Sequence, residues 1–281
     1  LSLQALRESN MLKQHLMIVI FLISGISLAQ RNELGMFVGS SGYYGDIGKQ
    51  QIGAIFSNQL PAIGLSHKIN FHNYLSFRSS ILYGTLKADD ALSNDPNTIS
   101  RNLSFRSQIL DINVGFEFNF KRFKTHKRKT IYCPYIFAGL SFFTFNPQAQ
   151  NNLNQWVDLQ NLGTEGQETE ANPNKKYSLN SFAIPFGIGY KANLNEKIAL
   201  SIEWIWRTTA TDYIDDVSGY YVNTELLSDE AAEMANPGTS NSIIGKRRGN
   251  PNNNDWYNFT GITISYKIKN RPVKCPKELL P

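Results

Sequence analysis

The last patterned segment of the chain sets Ile262, Ile264, Tyr266 and Ile268 against Gly261, Thr263, Ser265 and Lys267 in strict alternation. A β-strand turns successive side chains to opposite faces, so one face of this segment is apolar and the other small or polar. Seven earlier segments read the same way, at approximately 32–44, 61–72, 74–87, 105–121, 132–146, 181–194 and 197–212, and the last spans approximately 256–268. In the fourth, Leu110, Ile112, Val114, Phe116, Phe118 and Phe120 alternate with Asp111, Asn113, Gly115, Glu117 and Asn119. In the seventh, Ile198, Leu200, Ile202, Trp204 and Trp206 alternate with Ala199, Ser201, Glu203 and Arg207, and only Ile205 breaks the polar face. The fifth, with Phe142 and Phe143 adjacent, is the least regular. A soluble sandwich would bury the apolar face, whereas a barrel in a membrane would turn it outward to lipid.

The connections separate these two architectures. His72-Asn73 and Asn195-Glu196 make tight turns after the second and sixth segments, and a short basic stretch follows the fourth. The odd segments are followed instead by long polar stretches at 45–60, 88–104, 147–180 and 213–255. Short turns at one end and long loops at the other are the habit of bacterial outer-membrane barrels, with turns in the periplasm and loops outside. The even strand count places both termini on the periplasmic side. Aromatic residues support two interfacial girdles: Tyr43, Tyr44, Tyr83, Phe143, Phe145, Trp204, Trp206, Trp256 and Tyr257 toward the loop ends, and Phe71, Tyr74, Phe120, Tyr132 and Tyr190 toward the turn ends. The expected fold is all-β: an eight-stranded antiparallel up-and-down transmembrane barrel of OmpA-like size.

The first residues bear on compartment. Lys13 precedes an apolar run from Leu16 to Ile23, and Ser27 and Ala29 supply small residues before Gln30. This reads as a signal peptide cut after Ala29, with residues 1–10, upstream of Met11, as an over-extended start. The expected organisation is leader 1–29, barrel 30–270 and periplasmic tail 271–281. No stretch after Ala29 is apolar for the roughly 18 residues of a spanning helix, so a membrane-embedded mature chain must close its strands into a barrel to satisfy every backbone group. The formal net charge of +5 is modest and concentrated in Lys121, Arg122, Lys124, Lys127, Arg128 and Lys129, which disfavours nucleic acid as a partner.

An eight-stranded barrel is just wide enough inside for side chains to fill it. The polar faces carry Lys68, Arg78, Asp111, Glu117, Lys191, Glu203, Arg207 and Lys267, a mixture of signs expected to pair across the lumen as a plug. No catalytic constellation emerges. Of the four histidines, His15 lies in the leader, His67 within a strand, and His72 and His126 in turn-side connections, none on an outward loop suited to a general base. A lipid-modifying enzyme is thereby disfavoured, and no cofactor is called for. Asp212, Asp215 and Asp216 are weak candidates for a hard cation, but their spacing matches no calcium loop, and an ordered turn is the preferred reading. Cys133 and Cys275 fall at the same end of the barrel; they either form a disulfide in an oxidising periplasm or stand as separate thiols, one pairing with a partner.

Asn32-Glu33-Leu34-Gly35, Tyr43-Tyr44-Gly45-Asp46, Tyr213-Ile214-Asp215-Asp216-Val217-Ser218-Gly219-Tyr220-Tyr221 and Lys274-Cys275-Pro276 together resemble the PorG-like outer-membrane proteins of Bacteroidota. Related PorT-like barrels share some of these elements. The resemblance implies a part in type IX protein secretion and gliding motility, in contact with a periplasmic ring of PorK/PorN-like proteins, with the basic connection as docking surface. The competing reading is a stand-alone OmpA-like surface barrel that stabilises the envelope or binds a ligand through its loops.

Overall fold

In a computed structural model the described residues are 31–48, 58–123, 131–238 and 243–268. The leader, most of the basic connection and the tail with Cys275 lie outside them. Among the described residues nine strands occur: β1 (Arg31–Tyr44), β2 (Leu60–Asn70), β3 (Leu75–Asp89), β4 (Ser104–Asn119), β5 (Tyr132–Gln150), β6 (Trp156–Asp158), β7 (Asn180–Asn193), β8 (Ile198–Thr209) and β9 (Trp256–Lys267). Eight of them form the wall. Every wall strand pairs antiparallel with its sequence neighbours, β4 joins β5, and β1 joins β9 from Glu33↔Lys267 to Tyr44↔Trp256. The eight wall strands close into a barrel, so the wall itself leaves no edge to pair elsewhere.

The direction of the apolar face excludes a sandwich. Met36, Leu65, Ile112, Leu140, Phe182 and Ile188 are exposed on the outer wall, Leu65 at 66% and Phe182 at 67%. Their neighbours Phe37, Asn113, Ser141 and Ala183 are buried inside. A continuous apolar belt of this kind is unfavourable in water and suited to hydrocarbon. Among the described residues no helix is long and apolar enough to cross a membrane.

Strand ends differ from the expected ones where loops add pairing. β5 runs four residues past 146 because Gln148, Ala149 and Gln150 pair with Asp158, Val157 and Trp156 of β6. β8 stops at Thr209, where the Asp255 amide donates to the Thr211 carbonyl at 3.0 Å and folds the chain over the rim. Between the strands the long loops carry short helices, α1 (Pro96–Arg101), α2 (Leu159–Leu162) and α3 (Asp229–Ala235). Asp95 and Ser228 cap α1 and α3 by accepting from Thr98 and Ala231 amides, the usual way to satisfy a first-turn donor.

The girdle reading needs correction at the loop end. Tyr43, Phe143, Phe145 and Tyr257 point into the lumen and are nearly fully buried. Parity decides this: each takes the inward position of its strand, as Phe143 does opposite Asp111. The outward aromatic band is built by Trp204, Trp206 and Trp256, with ring centroids 5.5 and 6.5 Å apart. At the turn end, Phe71, Phe120, Tyr132 and Tyr190 do face outward.

Candidate functional site: a filled lumen under a carboxylate-rich cap

At the level of the turn rim the lumen is filled by charge pairs. Glu117 is fully buried; Lys68 Nζ lies 2.9 Å from its Oε2, Arg78 Nη1 lies 3.8 Å away, and Lys191 donates to its other oxygen. Arg78 also reaches Glu203 at 2.6 Å, and the Tyr135 hydroxyl donates to the same carboxylate at 2.7 Å. Higher up, Asp111 accepts from Arg207 Nε, Tyr257 Oη and Ser141 Oγ at 3.1, 2.7 and 2.8 Å. Arg78 stacks over Phe137 and Arg207 over Phe259, at 4.0 and 4.6 Å from the ring centres. The Phe137 ring has room because Gly115 faces Gly139 across the β4–β5 ladder; a Cβ on Gly115 would lie 2.8 Å from the ring and 2.4 Å from a main-chain oxygen.

Of the charged residues read from the polar faces, Lys68, Arg78, Glu117, Lys191 and Glu203 form one network and Asp111 with Arg207 a second. Lys267 sits half-buried at the turn rim opposite Glu33 of β1. Sequence reasoning passed over Glu33, which is buried and accepts from Asn70 at 2.8 Å, and over Tyr135; both occupy inward positions that strand parity identifies. Below the network, Phe123, Ile131, Cys133 and Ala199 pack together, with Lys191 4.5 Å from the Phe123 ring centre. Cys133 is completely buried. Lys121 and Arg122 are exposed on this rim, Arg122 donating to the Tyr74 hydroxyl at 3.0 Å. Lys124, Lys127, Arg128 and Lys129 lie outside the described residues.

Toward the loop rim the filling becomes apolar. Phe37, Leu82, Leu86, Phe105, Ile109, Phe143, Phe145, Tyr257 and Phe259 make one core, and Ile47, Ile214 and Val217 descend from the loops to join it. The barrel is plugged twice, by ion pairs and by rings.

Above that core the loops form an ordered cap rich in buried acids. Asp46, Asp90, Glu165, Asp212, Asp215, Asp216 and Asp255 are all buried, and the guanidinium groups among them belong to Arg101 and Arg248. Tyr43 donates to Asp215 at 2.5 Å and contacts Asp255 at 2.9 Å, which ties the first strand exit to two residues far along the chain. Gly45 makes the approach possible, since a Cβ there would lie 2.0 Å from the Tyr43 hydroxyl and the Asp255 carboxylate. Asp216, in the left-handed region at φ 69°, accepts from Thr164 and Tyr177 and lies 3.5 Å from Arg248. Glu165 accepts the Ser218 and Gly219 amides, each at 2.9 Å. Asp46 accepts the Asn250 amide at 2.6 Å. Tyr-Gly-Asp, Asp-Asp-Val-Ser-Gly and the Gly249-Asn250 turn are thus parts of one knot.

Asp212, Asp215, Asp216 and Asp255 ionise with difficulty. Burial pushes Asp212 up to about 7 and Asp216 up to about 6, the latter held back by Arg248. Burial also raises Asp215, and it raises Asp255 with the Asp215 carboxylate adding to it. Among the described residues no three acidic, histidine or cysteine side chains converge as a metal cage; Asp216 turns to Thr164, Tyr177 and Arg248, away from Asp215.

A closed barrel with an apolar outer belt, a filled lumen and long ordered loops defines the class of small outer-membrane-type β-barrels. The chain belongs to the family described as a domain of unknown function, DUF6089, whose model matches residues 13–277. No curated protein matches the sequence. Similar solved structures include neisserial surface protein A (8% identity, 84% of this chain and 97% of that one, TM-score 0.42), Ail, the attachment invasion locus protein of Yersinia pestis, in complex with the heparin analogue sucrose octasulfate (7%, 85% and 99%, 0.39), and OprG of Pseudomonas aeruginosa (10%, 84% and 97%, 0.37). These likenesses do not bear on function, and the barrel assignment rests on the hydrogen-bond ladder itself.

Proposed function

We propose that this chain is a non-enzymatic outer-membrane barrel of the type IX secretion and gliding machinery, which anchors or organises PorK/PorN-like periplasmic ring proteins. The observation that carries the reading is the double plug. Ion pairs around Glu117 and the aromatic core above them leave the lumen unsuited to transport, so the chemistry available to a partner lies on the rims. The turn rim faces the periplasm in this reading, and Lys121 and Arg122 open the basic connection there. The resemblance of its motifs to PorG-like proteins supplies the identity of the machinery. Deleting the gene should abolish export of type IX cargo; normal export would sink the proposal. Reversing Lys127, Arg128 and Lys129 to glutamate should reduce co-purification of ring proteins, and unchanged recovery would remove the docking surface from it.

One observation favours the stand-alone surface barrel instead. A polar cleft of about 330 Å³ opens among the loops, lined by Arg101, Tyr221, Lys246 and Arg247. Under that reading the deletion strain exports cargo normally but changes its surface binding or envelope integrity.

A further inference from the structure

Asp212 differs from every other acid of the cap. It is 6% exposed, and both carboxylate oxygens are sealed from solvent without a hydrogen-bond donor among the described residues. Asp215 and Asp255 have the Tyr43 hydroxyl and the Val217 and Ile214 amides. Glu165 and Asp216 have Arg248, and Asp90 has Arg101. Among the described residues Asp212 has none of these: the Ser218 hydroxyl stands beside it without completing a hydrogen bond, and the charged groups that face it there are the carboxylates of Asp46 and Glu165. Its own charge is felt in turn by Asp215 and Asp255. An isolated buried carboxylate is strongly unfavourable as an anion unless a cation or a proton joins it.

We propose that Asp212, with Asp46 as second carboxylate, holds a hard divalent cation of the calcium class inside the loop cap. The donors on hand are oxygens: Asp212, the Asp46 oxygen not engaged by the Asn250 amide, and the buried Ser218 hydroxyl. Hard cations take such ligands and complete their shell with carbonyl oxygens and water. Two carboxylates rather than three or four make a weak site, with dissociation constants on the order of 10⁻⁴–10⁻³ M, the range of extracellular calcium modules. The ion would staple the exits of β1 and β8, since Asp46 follows the first and Asp212 the second.

Terbium luminescence tests this on the full chain folded in detergent micelles, with Tyr43, Tyr177 and Tyr213 as sensitisers in the cap. Wild type should give saturable Tb³⁺ emission that Ca²⁺ displaces. Asp212→Asn should weaken it roughly tenfold or more, while Asp95→Asn, a loop acid outside the cluster, leaves it unchanged. Heat-modifiable migration checks that each variant is folded; if Asp212→Asn is not, Asp46→Asn takes its place under the same criteria. Absence of Ca²⁺-displaceable emission from wild type, or unchanged affinity in the folded variant, would overturn the proposal. So would a folded Asp212→Asn barrel that is more heat-resistant than wild type in both Ca²⁺ and EDTA, since Asp212 would then be a neutral acid.

Discussion

Glu117 and Asp212 are both buried carboxylates, yet they are neutralised by opposite means. Glu117 lies among Lys68, Arg78 and Lys191 in the wall of the barrel. Asp212 lies in the cap beside Asp46 and Glu165. The first region is self-sufficient, because Lys68, Arg78, Lys191 and Arg207 each meet Glu117, Glu203 or Asp111 across the lumen. In the second, Asp212 meets no cation among the described residues. The wall is therefore expected to be a stable scaffold, and the cap to be the part whose stability varies with pH and ions.

The largest effect should come from breaking the self-sufficient half. Glu117→Gln strands the buried Lys68 and Lys191 and leaves Arg78 to Glu203 alone, a loss of about 3–5 kcal/mol. It should lower the urea midpoint of the heat-modifiable band, and a midpoint equal to wild type would show the network to be dispensable. Next comes pH. Asp212 and Asp216 bind protons more tightly in the folded chain than the ordinary carboxylate does, so between about pH 4 and 7 the folded state holds more protons and stability falls as pH rises. In EDTA the thermal midpoint should be lower at pH 8 than at pH 5, and Asp212→Asn should flatten that slope. The groups facing Asp212 from neighbouring elements, Asp46, Glu165 and Ser218, sharpen the effect only through the first two. Tyr43→Phe should cost about 1–3 kcal/mol by leaving Asp215 and Asp255 short of a donor, read as faster proteolysis of the loops with the barrel intact. Charge reversal at exposed Lys121 and Arg122 should change stability by less than about 0.5 kcal/mol.

The wall and the cap were also unequally legible in the sequence. Strand alternation assigns a face to each residue, so Leu110 and Asp111 could be placed on opposite sides without a structure. It faltered where the inner face is itself apolar: Ile205, Phe143 and Tyr257 look like breaks or girdle residues until register is known, yet all are lumen filling. The cap has no period to read. Its contacts join residues such as Tyr43 and Asp215, 172 positions apart, and only the recurrence of tyrosine, glycine and aspartate at strand exits hinted that they meet. The three clustered aspartates illustrate the limit, since neighbours in sequence face different partners: Asp215 meets Tyr43, Asp216 meets Arg248, and Asp212 meets other acids.

The central claim is that the lumen is sealed and that partners act at the rims. Conductance of the purified barrel in a planar lipid bilayer tests it most directly. Wild type should pass no sustained current at any moderate voltage, and a steady, reproducible single-channel conductance would contradict a sealed lumen.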